Sequence, residues 1–201
     1  MEGVAEVNVF QYFHHLDQKF TLAVNSFNCP ASDWVWQMFS NRTIWFVLYA
    51  AVAFFFFRRL GWKKALTYVL ACALAILVCD QFANLIKDSV QRLRPCWDLN
   101  MVNGGLHILE GKGGKYGFFS ANAANAAAFA IVSYKALRND PSHRYDRYRV
   151  LIYLWAFLVG ASRVFVGKHF LGDVLVGFVV GIIFALLISE LAALIIRRLG
   201  L

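Results

Sequence analysis

The residues best suited to chemistry lie in one short segment, residues 162–173, which reads Ser-Arg-Val-Phe-Val-Gly-Lys-His-Phe-Leu-Gly-Asp. Apolar runs flank it on both sides, which predicts a polar hinge between two hydrophobic helices. His169 and Asp173 are four residues apart and share one face if the second helix begins near His169. A carboxylate that holds one imidazole nitrogen leaves the other free as a nucleophile or base. Arg163 could bind an oxyanion through its planar guanidinium.

The composition indicates where these residues must be held. Of the 201 residues, 60% are hydrophobic and 16% are charged, whereas soluble domains carry about 25% charged residues. Several apolar runs approach the roughly 20 residues that span a bilayer. We therefore expect a single integral membrane domain over residues 1–201. The net charge of +8 does not indicate nucleic acid, because the basic residues cluster at the ends of the apolar runs.

The hydropathy pattern predicts an all-α, polytopic membrane bundle of five to six transmembrane helices with an N-terminal amphipathic helix. Residues 5–28 have helical apolar spacing but are too polar to span, so we expect them on the membrane surface. This surface helix belongs to an interfacial segment, 1–42, ahead of a transmembrane core, 43–198. Asp33 is expected to cap a short helix that begins at Trp34. The predicted spans are 43–57, 65–86, 118–137, 150–166 and 172–196, and a sixth could form from 7–27.

Basic residues set the predicted orientation. The loops at 58–64 and 138–149 and the C-terminal arginine pair share one side, which the positive-inside rule makes cytoplasmic. The loops at 87–117 and 163–172 then share the outer side. Their basic residues need another explanation, and anion binding is one. These residues are Lys87, Arg92, Arg94, Lys112, Lys115, Arg163 and Lys168.

Three outer segments could form one anion pocket. Lys87 and Arg94 share a helical face if the second span continues to Arg94, where Pro95 would end the helix. Residues 120–122 open the third span, where free backbone N–H groups and the positive end of the helix dipole attract anions. With Arg163, these segments predict a pocket for a doubly charged phosphate.

The combined pattern resembles the type 2 phosphatidic acid phosphatase superfamily over roughly residues 60–195. The membrane branch of that family removes phosphate from lipid phosphates and diphosphates, and its soluble branch includes vanadium-dependent haloperoxidases. The apolar spans favour the membrane branch. The motifs that carry the resemblance are Lys87-(six residues)-Arg94-Pro95, the Ser120 segment, and Ser162-Arg163-(five residues)-His169-(three residues)-Asp173.

The resemblance implies a role for each matched residue. His169 would attack phosphorus to form a phosphohistidine, and Asp173 would orient it. The phosphoryl oxygens would be bound by Lys87, Arg94, Ser120, Arg163 and the backbone N–H of Ala121. The family uses no metal cofactor, because these cationic side chains stabilise the charge of the transition state.

The second motif departs from the family at its last residue. Residues 119–122 read Phe-Ser-Ala-Asn, where the family usually has Pro-Ser-Gly-His. Asn122 replaces the histidine that protonates the leaving oxygen, and an amide cannot donate a proton and recover it. Loss of a general acid typically costs about 10²–10⁴-fold in rate, so we expect an impaired or inactivated variant. His107 in the outer loop is an alternative proton donor.

The resemblance to bacterial members implies a multi-pass protein of the bacterial inner membrane whose active site faces the periplasm. We expect undecaprenyl diphosphate as the substrate, with lipid A phosphate, phosphatidylglycerophosphate and phosphatidate as alternatives. The expected partners are the lipid phosphate substrate and membrane lipids, with neither nucleic acid nor an obligate protein partner. A non-catalytic lipid-phosphate binder is an alternative of another class, and Asn122 supports it.

Hydropathy alone would also allow a transporter. Transporter sites lie near the bilayer midplane, whereas most ionisable residues here fall at helix ends. Asp80 and Glu190 are exceptions, and Asp80 has helical spacing with Lys87, so it could support the polar face that leads to the site. Cys29 and Cys96 fall on the predicted outer side, where a disulfide is possible.

Overall fold

The chain is all-helical in the computed structural model, which describes residues 9–201. The first four residues of the predicted surface helix, 5–8, lie outside the described residues. An isolated antiparallel bridge joins Leu93 to Tyr116 in the long outer loop. The α-helices are α1 (Val9–Asn25), α2 (Pro30–Ser40), α3 (Trp45–Leu60), α4 (Trp62–Val90), α5 (Leu99–Asn103), α6 (Ala121–Leu137), α7 (Asp146–Phe165) and α8 (Leu171–Arg198).

Four helical segments are long and apolar enough to cross a membrane, namely α3 with the 3₁₀ turn before it, α4, α7 and α8. The shorter α6 also crosses the bundle, because its two ends contact opposite ends of its neighbours. The N–H of Ser120, just before α6, donates to the carbonyl of Asp173 (2.9 Å). Beyond the other end, Asn139 donates to the hydroxyl of Tyr68 (2.8 Å). The predicted all-α membrane bundle is confirmed, with α6 at its centre.

Small residues let α6 and α8 approach closely. A Cβ at Gly177 would lie 2.5 Å from the carbonyl oxygen of Ser120, and one at Gly181 would lie even nearer to the carbonyl of Ala124. Alanines fill most of the facing surface of α6, and they are buried. The backbones are therefore in direct contact, as small residues permit in membrane bundles. This contact holds the start of α6 against the first turns of α8.

The N-terminal helix α1 presents its polar side to the protein. Its buried residues are Gln18, Thr21 and Asn25, whereas Phe13 and Phe20 are exposed. Thr21 accepts a hydrogen bond from the N–H of Leu171 (2.9 Å). An apolar outer face with a polar inner face suits a helix at the edge of the bilayer.

Two predicted boundaries are wrong. Helix α2 begins at Pro30, whose fixed φ suits a first helical turn, and Cys29 precedes it as the N-cap. Asp33 thus lies within the first turn and does not cap a helix at Trp34. Helix α4 ends at Val90 rather than Arg94, because Gln91 is left-handed (φ 52°) and caps the helix.

Helix α8 begins at Leu171, one residue before the predicted start of the fifth span at residue 172, so His169 lies just ahead of the helix. All four cysteines lie in the described part of the chain and are free, with Cys29 exposed and Cys96 buried. The disulfide that the sequence allowed between those two residues is therefore absent.

Candidate active site

The hinge between α7 and α8 folds back on the last turn of α7. Gly167 makes this turn with φ +75°, and a Cβ there would lie 2.9 Å from the carbonyl of His107. The carbonyl of Arg163 then accepts the N–H groups of Lys168 (3.0 Å) and His169 (3.1 Å). This arrangement buries His169 at the point where α7 ends and α8 begins.

His169 lies beside a fully buried carboxylate. Its Nδ1 is 3.5 Å from Oδ2 of Asp173 and makes no hydrogen bond. The N–H of Phe170 donates to the same carboxylate (3.1 Å), which fixes its orientation. With Nδ1 facing Asp173, the other ring nitrogen, Nε2, is the one available for attack.

The positive charges of three predicted site residues act on His169. Burial and the positive charges of Arg163, Arg94 and Lys87 hold the pKa of His169 well below its ordinary 6.5. The imidazole is therefore neutral at neutral pH, as a nucleophile requires. Lys87 lies in the last turn of α4, so the three cations come from three separate parts of the chain.

Arg94 is held by the loop between α4 and α6. Its Nε donates to the carbonyl of Tyr116 (3.1 Å). At Gly117, a Cβ would lie 2.7 Å from Cγ of Arg94 and 3.5 Å from Nδ1 of His169. Gly117 therefore lets the arginine and the histidine flank the same stretch of backbone. Although Arg94 is beyond α4 and not on it, the loop still brings it to the hinge.

Arg163 is held by the corner that follows α2. Its Nη1 donates to the hydroxyl of Ser40 and lies 3.9 Å from a carboxylate oxygen of Glu110. Its Nε is buried without a hydrogen-bond partner. The guanidinium thus retains an unused donor inside the protein.

Some of the buried side-chain polar atoms that lack a hydrogen-bond partner belong to the predicted site, whereas others lie elsewhere, such as Trp155 Nε1 and Ser189 Oγ. In the described part of the chain, four residues of the predicted site contribute such atoms: Ser120 Oγ, Asn122 Oδ1, Arg163 Nε and His169 Nδ1. A buried polar atom without a partner costs about 1–3 kcal/mol, and a phosphate bound at this site could accept hydrogen bonds from Ser120 and Arg163 and so remove part of that cost. Ala121 is the first residue of α6, and its N–H is among those that an α-helix leaves free.

Arg92 is a site residue that sequence reasoning missed. Its Nη1 donates to Oδ1 of Asp173 (2.7 Å), and its Nη2 donates to Asp17 of α1 (2.7 Å). The guanidinium also stacks over the ring of Phe170, 4.1 Å from its centre. The sequence signal was only a basic residue on the unfavoured side of the membrane. Its partner Asp17 is 75 residues away, and no local pattern connects the two.

A cavity of about 530 Å³ adjoins the site between α3, α4, α6 and α7. Its wall is mostly apolar, and its charged or amide side chains are Arg42, Asp80, Asn122 and Asn125. Asn125 donates to Asp80 (2.9 Å), which places Asp80 on the polar side of this cavity. An apolar cavity next to a cationic site suits a lipid chain attached to a phosphate.

Two other residues that the sequence singled out, His107 and Glu190, lie away from this cavity. The ring of His107 contacts Asp33 of α2, with Nε2 3.0 Å from the carboxylate. Glu190 pairs with Lys135 (2.8 Å), in the last turn of α6. Neither residue lines the cavity that contains Asn122.

The fold and the site together define a membrane-embedded helical bundle that presents a buried histidine, a carboxylate and three cations at one end. Residues 64–196 match the model of the PAP2 superfamily, and the chain belongs to that superfamily. The resemblance drawn from its motifs is thereby confirmed.

Curated relatives are similar over most of their length. The chain is 31% identical over 175 residues to a lipid A 4'-phosphatase of Bacteroides thetaiotaomicron, covering 86% of this chain and 75% of that protein. It is 29% identical over 174 residues to a lipid A 4'-phosphatase of Porphyromonas gingivalis, covering 86% of this chain and 71% of that protein. These relatives support a membrane lipid phosphatase.

Two crystal structures share the fold. One is a transmembrane PAP2 type phosphatidylglycerolphosphate phosphatase from Bacillus subtilis, with a TM-score of 0.71, 21% identity, and coverage of 93% of this chain and 89% of that chain. The other is Aquifex aeolicus LpxE, with a TM-score of 0.64, 21% identity, and coverage of 87% of this chain and 95% of that chain. The chain is therefore a multi-pass membrane protein with the fold of these structures.

Proposed function

We propose that the protein is a lipid phosphate phosphatase that transfers the phosphoryl group to His169 and then to water. The cluster of unpaired buried polar atoms at Ser120, Asn122, Arg163 and His169 carries this proposal. The positive-inside distribution of basic residues supports a site on the periplasmic face of the bacterial inner membrane.

The first chemical step follows from the position of the cations. Lys87, Arg94 and Arg163 bind the phosphoryl oxygens, with the hydroxyl of Ser120 and the free N–H groups that open α6. Nε2 of His169 attacks phosphorus, and the lipid oxygen leaves on the opposite side. The fixed positive charges stabilise the equatorial oxygens in the transition state. Asp173 stabilises the imidazolium that forms.

The second step returns the enzyme to its starting state. Water attacks the phosphohistidine, inorganic phosphate leaves, and His169 becomes neutral again. In the family, the residue at position 122 donates a proton in the first step. By microscopic reversibility, it accepts one from water in the second step. Asn122 can do neither, so we expect both steps to be slow.

Lipid A phosphate is the substrate that the relatives support, because both curated relatives are lipid A 4'-phosphatases. Undecaprenyl diphosphate, which was expected from the sequence, remains a second candidate on account of Asn122. A diphosphate releases a lipid phosphate, which carries negative charge far better than a sugar alkoxide. Loss of the proton donor therefore matters less for a diphosphate.

The test is phosphate release by purified protein from lipid A, undecaprenyl diphosphate and phosphatidate. The substitution Asn122→His is expected to raise the rate of phosphate release from the lipid that the protein hydrolyses by about 10²–10⁴-fold, the range for a general acid. Adding His169→Ala to that variant should abolish release, whereas His143→Ala, at an exposed histidine outside the site, should leave it unchanged. No release from any lipid by the Asn122→His protein would instead indicate a non-catalytic lipid-phosphate binder.

A further inference from the structure

The cavity beside the site must receive the leaving group. The phosphoryl group binds among the cations, and its lipid moiety requires apolar surroundings. The cavity is apolar along most of its wall and also contains Asn122, the position from which the family protonates the leaving oxygen. If position 122 faces the leaving oxygen here as it does in the family, that oxygen would lie in the part of the cavity that Asn122 lines.

Arg42 lines the same cavity. It opens the 3₁₀ turn Arg42–Ile44, which Asn41 caps by accepting the N–H of Thr43 (3.0 Å). Ser40, two residues earlier, accepts a hydrogen bond from Arg163. The corner that contains Ser40 and Arg42 therefore contacts Arg163 through Ser40 and lines the apolar cavity through both residues.

The charge of Arg42 is not neutralised by a neighbour. Arg42 is an exposed residue, and among the described residues no ion pair within 4.0 Å includes its guanidinium. Burial lowers the pKa of Arg94, and the positive charge of Arg42 contributes in the same direction. An anion bound near both guanidinium groups would offset their mutual repulsion.

On the basis of the proposed function, we propose that Arg42 is a further catalytic residue that stabilises the negative charge on the leaving oxygen. The lone pair of His169 Nε2 forms the new bond to phosphorus, and the electron pair of the breaking P–O bond stays on the leaving oxygen. No proton moves in this step. The oxygen departs as an anion beside the guanidinium and takes its proton from water afterwards. The charge of Arg42 thus stabilises the leaving oxygen, which Asn122 cannot protonate.

The test is the rate at which dephosphorylated lipid appears in a single turnover, measured separately on lipid A and on undecaprenyl diphosphate. Removing one preorganised electrostatic group typically costs about 10²–10³-fold. We expect a loss of that size from Arg42→Gln in the parent chain, and a loss below about 10-fold when Asn122→His is also present. Arg42→Lys should retain most of the rate, because it keeps the charge.

Arg58→Gln is the matched control, since Arg58 is an exposed arginine in the last turn of α3, far along the helix from Arg42. It should leave both steps unchanged. Equal losses from Arg42→Gln with and without Asn122→His would overturn the leaving-group role, as would an effect on KM alone. An inactive parent chain alongside an active Asn122→His protein would also overturn it. If instead the Asn122→His protein stays active after His169→Ala, the proposed function itself fails.

Discussion

Arg92 donates a 2.7 Å hydrogen bond to Asp173, the carboxylate that faces His169. Because Asp173 is fully buried, Arg92→Ala would leave it as an unpaired charge. Breaking a buried pair in this way typically costs about 3–5 kcal/mol. We expect a lower melting temperature in detergent and a loss of phosphatase activity in the Asn122→His protein, with Arg92→Lys retaining part of both.

Asp17→Asn separates two explanations of that loss. It removes the ion pair between Arg92 and α1 but leaves the bond to Asp173 in place. If Arg92 acts by positioning Asp173, kcat should fall much less in Asp17→Asn than in Arg92→Ala. Equal losses of kcat would show that Arg92 acts mainly by anchoring α1.

The acidic limb of the pH profile of kcat/KM should reflect the ionisation of His169. Burial and neighbouring cations lower the pKa of His169 below 6.5, so its imidazole stays neutral, and able to attack, below that pH. Lys87→Gln removes one of those cations and should raise the pKa, which moves the acidic limb of kcat/KM to higher pH as the rate falls. The comparison uses one substrate, so that the ionisation of its phosphate cancels. An acidic limb that stays in place would show that another group controls it.

Packing between α6 and α8 should control activity through Ser120. A Cβ at Gly177 would lie 2.5 Å from the Ser120 carbonyl, so Gly177→Ala must push the start of α6 away from α8. Overpacking of this kind typically costs about 1–3 kcal/mol. We expect lower thermal stability and a rate loss in the Asn122→His protein. Gly111→Ala is the control, because nothing lies within 4 Å of a Cβ there, and it should change neither quantity.

Phosphate release is expected to persist in EDTA. Lys87, Arg94 and Arg163 supply the positive charge that a divalent cation supplies in other phosphoryl-transfer enzymes. Release by the Asn122→His protein should therefore be the same with and without the chelator. A strict requirement for added Mg²⁺ or Mn²⁺ would contradict the metal-independent mechanism.

The sequence predicted the parts of this site that depend on local spacing. His169 and Asp173 lie within one short segment, so their proximity followed from their four-residue spacing, although His169 lies just ahead of α8 and not on it. The end of α4 could not be predicted in the same way, because the left-handed Gln91 and the bridge from Leu93 to Tyr116 depend on the returning outer loop.

Contacts between side chains far apart in the chain could not be predicted from the sequence either. Arg92 meets Asp17, and Arg163 meets Ser40 across 123 residues. Only the packing of α1 and α2 against the hinge brings these residues together. Arg42 likewise had no recognisable motif, since its place in the cavity depends on how the corner after α2 packs.

The most direct test of the proposed mechanism is to trap the phosphohistidine on the chain as it stands. With Asn122 unable to activate water, a lipid labelled in its terminal phosphate should transfer that phosphate to the protein and leave it there. The expected result is label on the peptide that contains His169 in the parent chain, turnover without such accumulation after Asn122→His, and no label after His169→Ala. Label that persists after His169→Ala, or phosphate release by the Asn122→His protein with no labelled histidine in the parent, would contradict nucleophilic attack by His169.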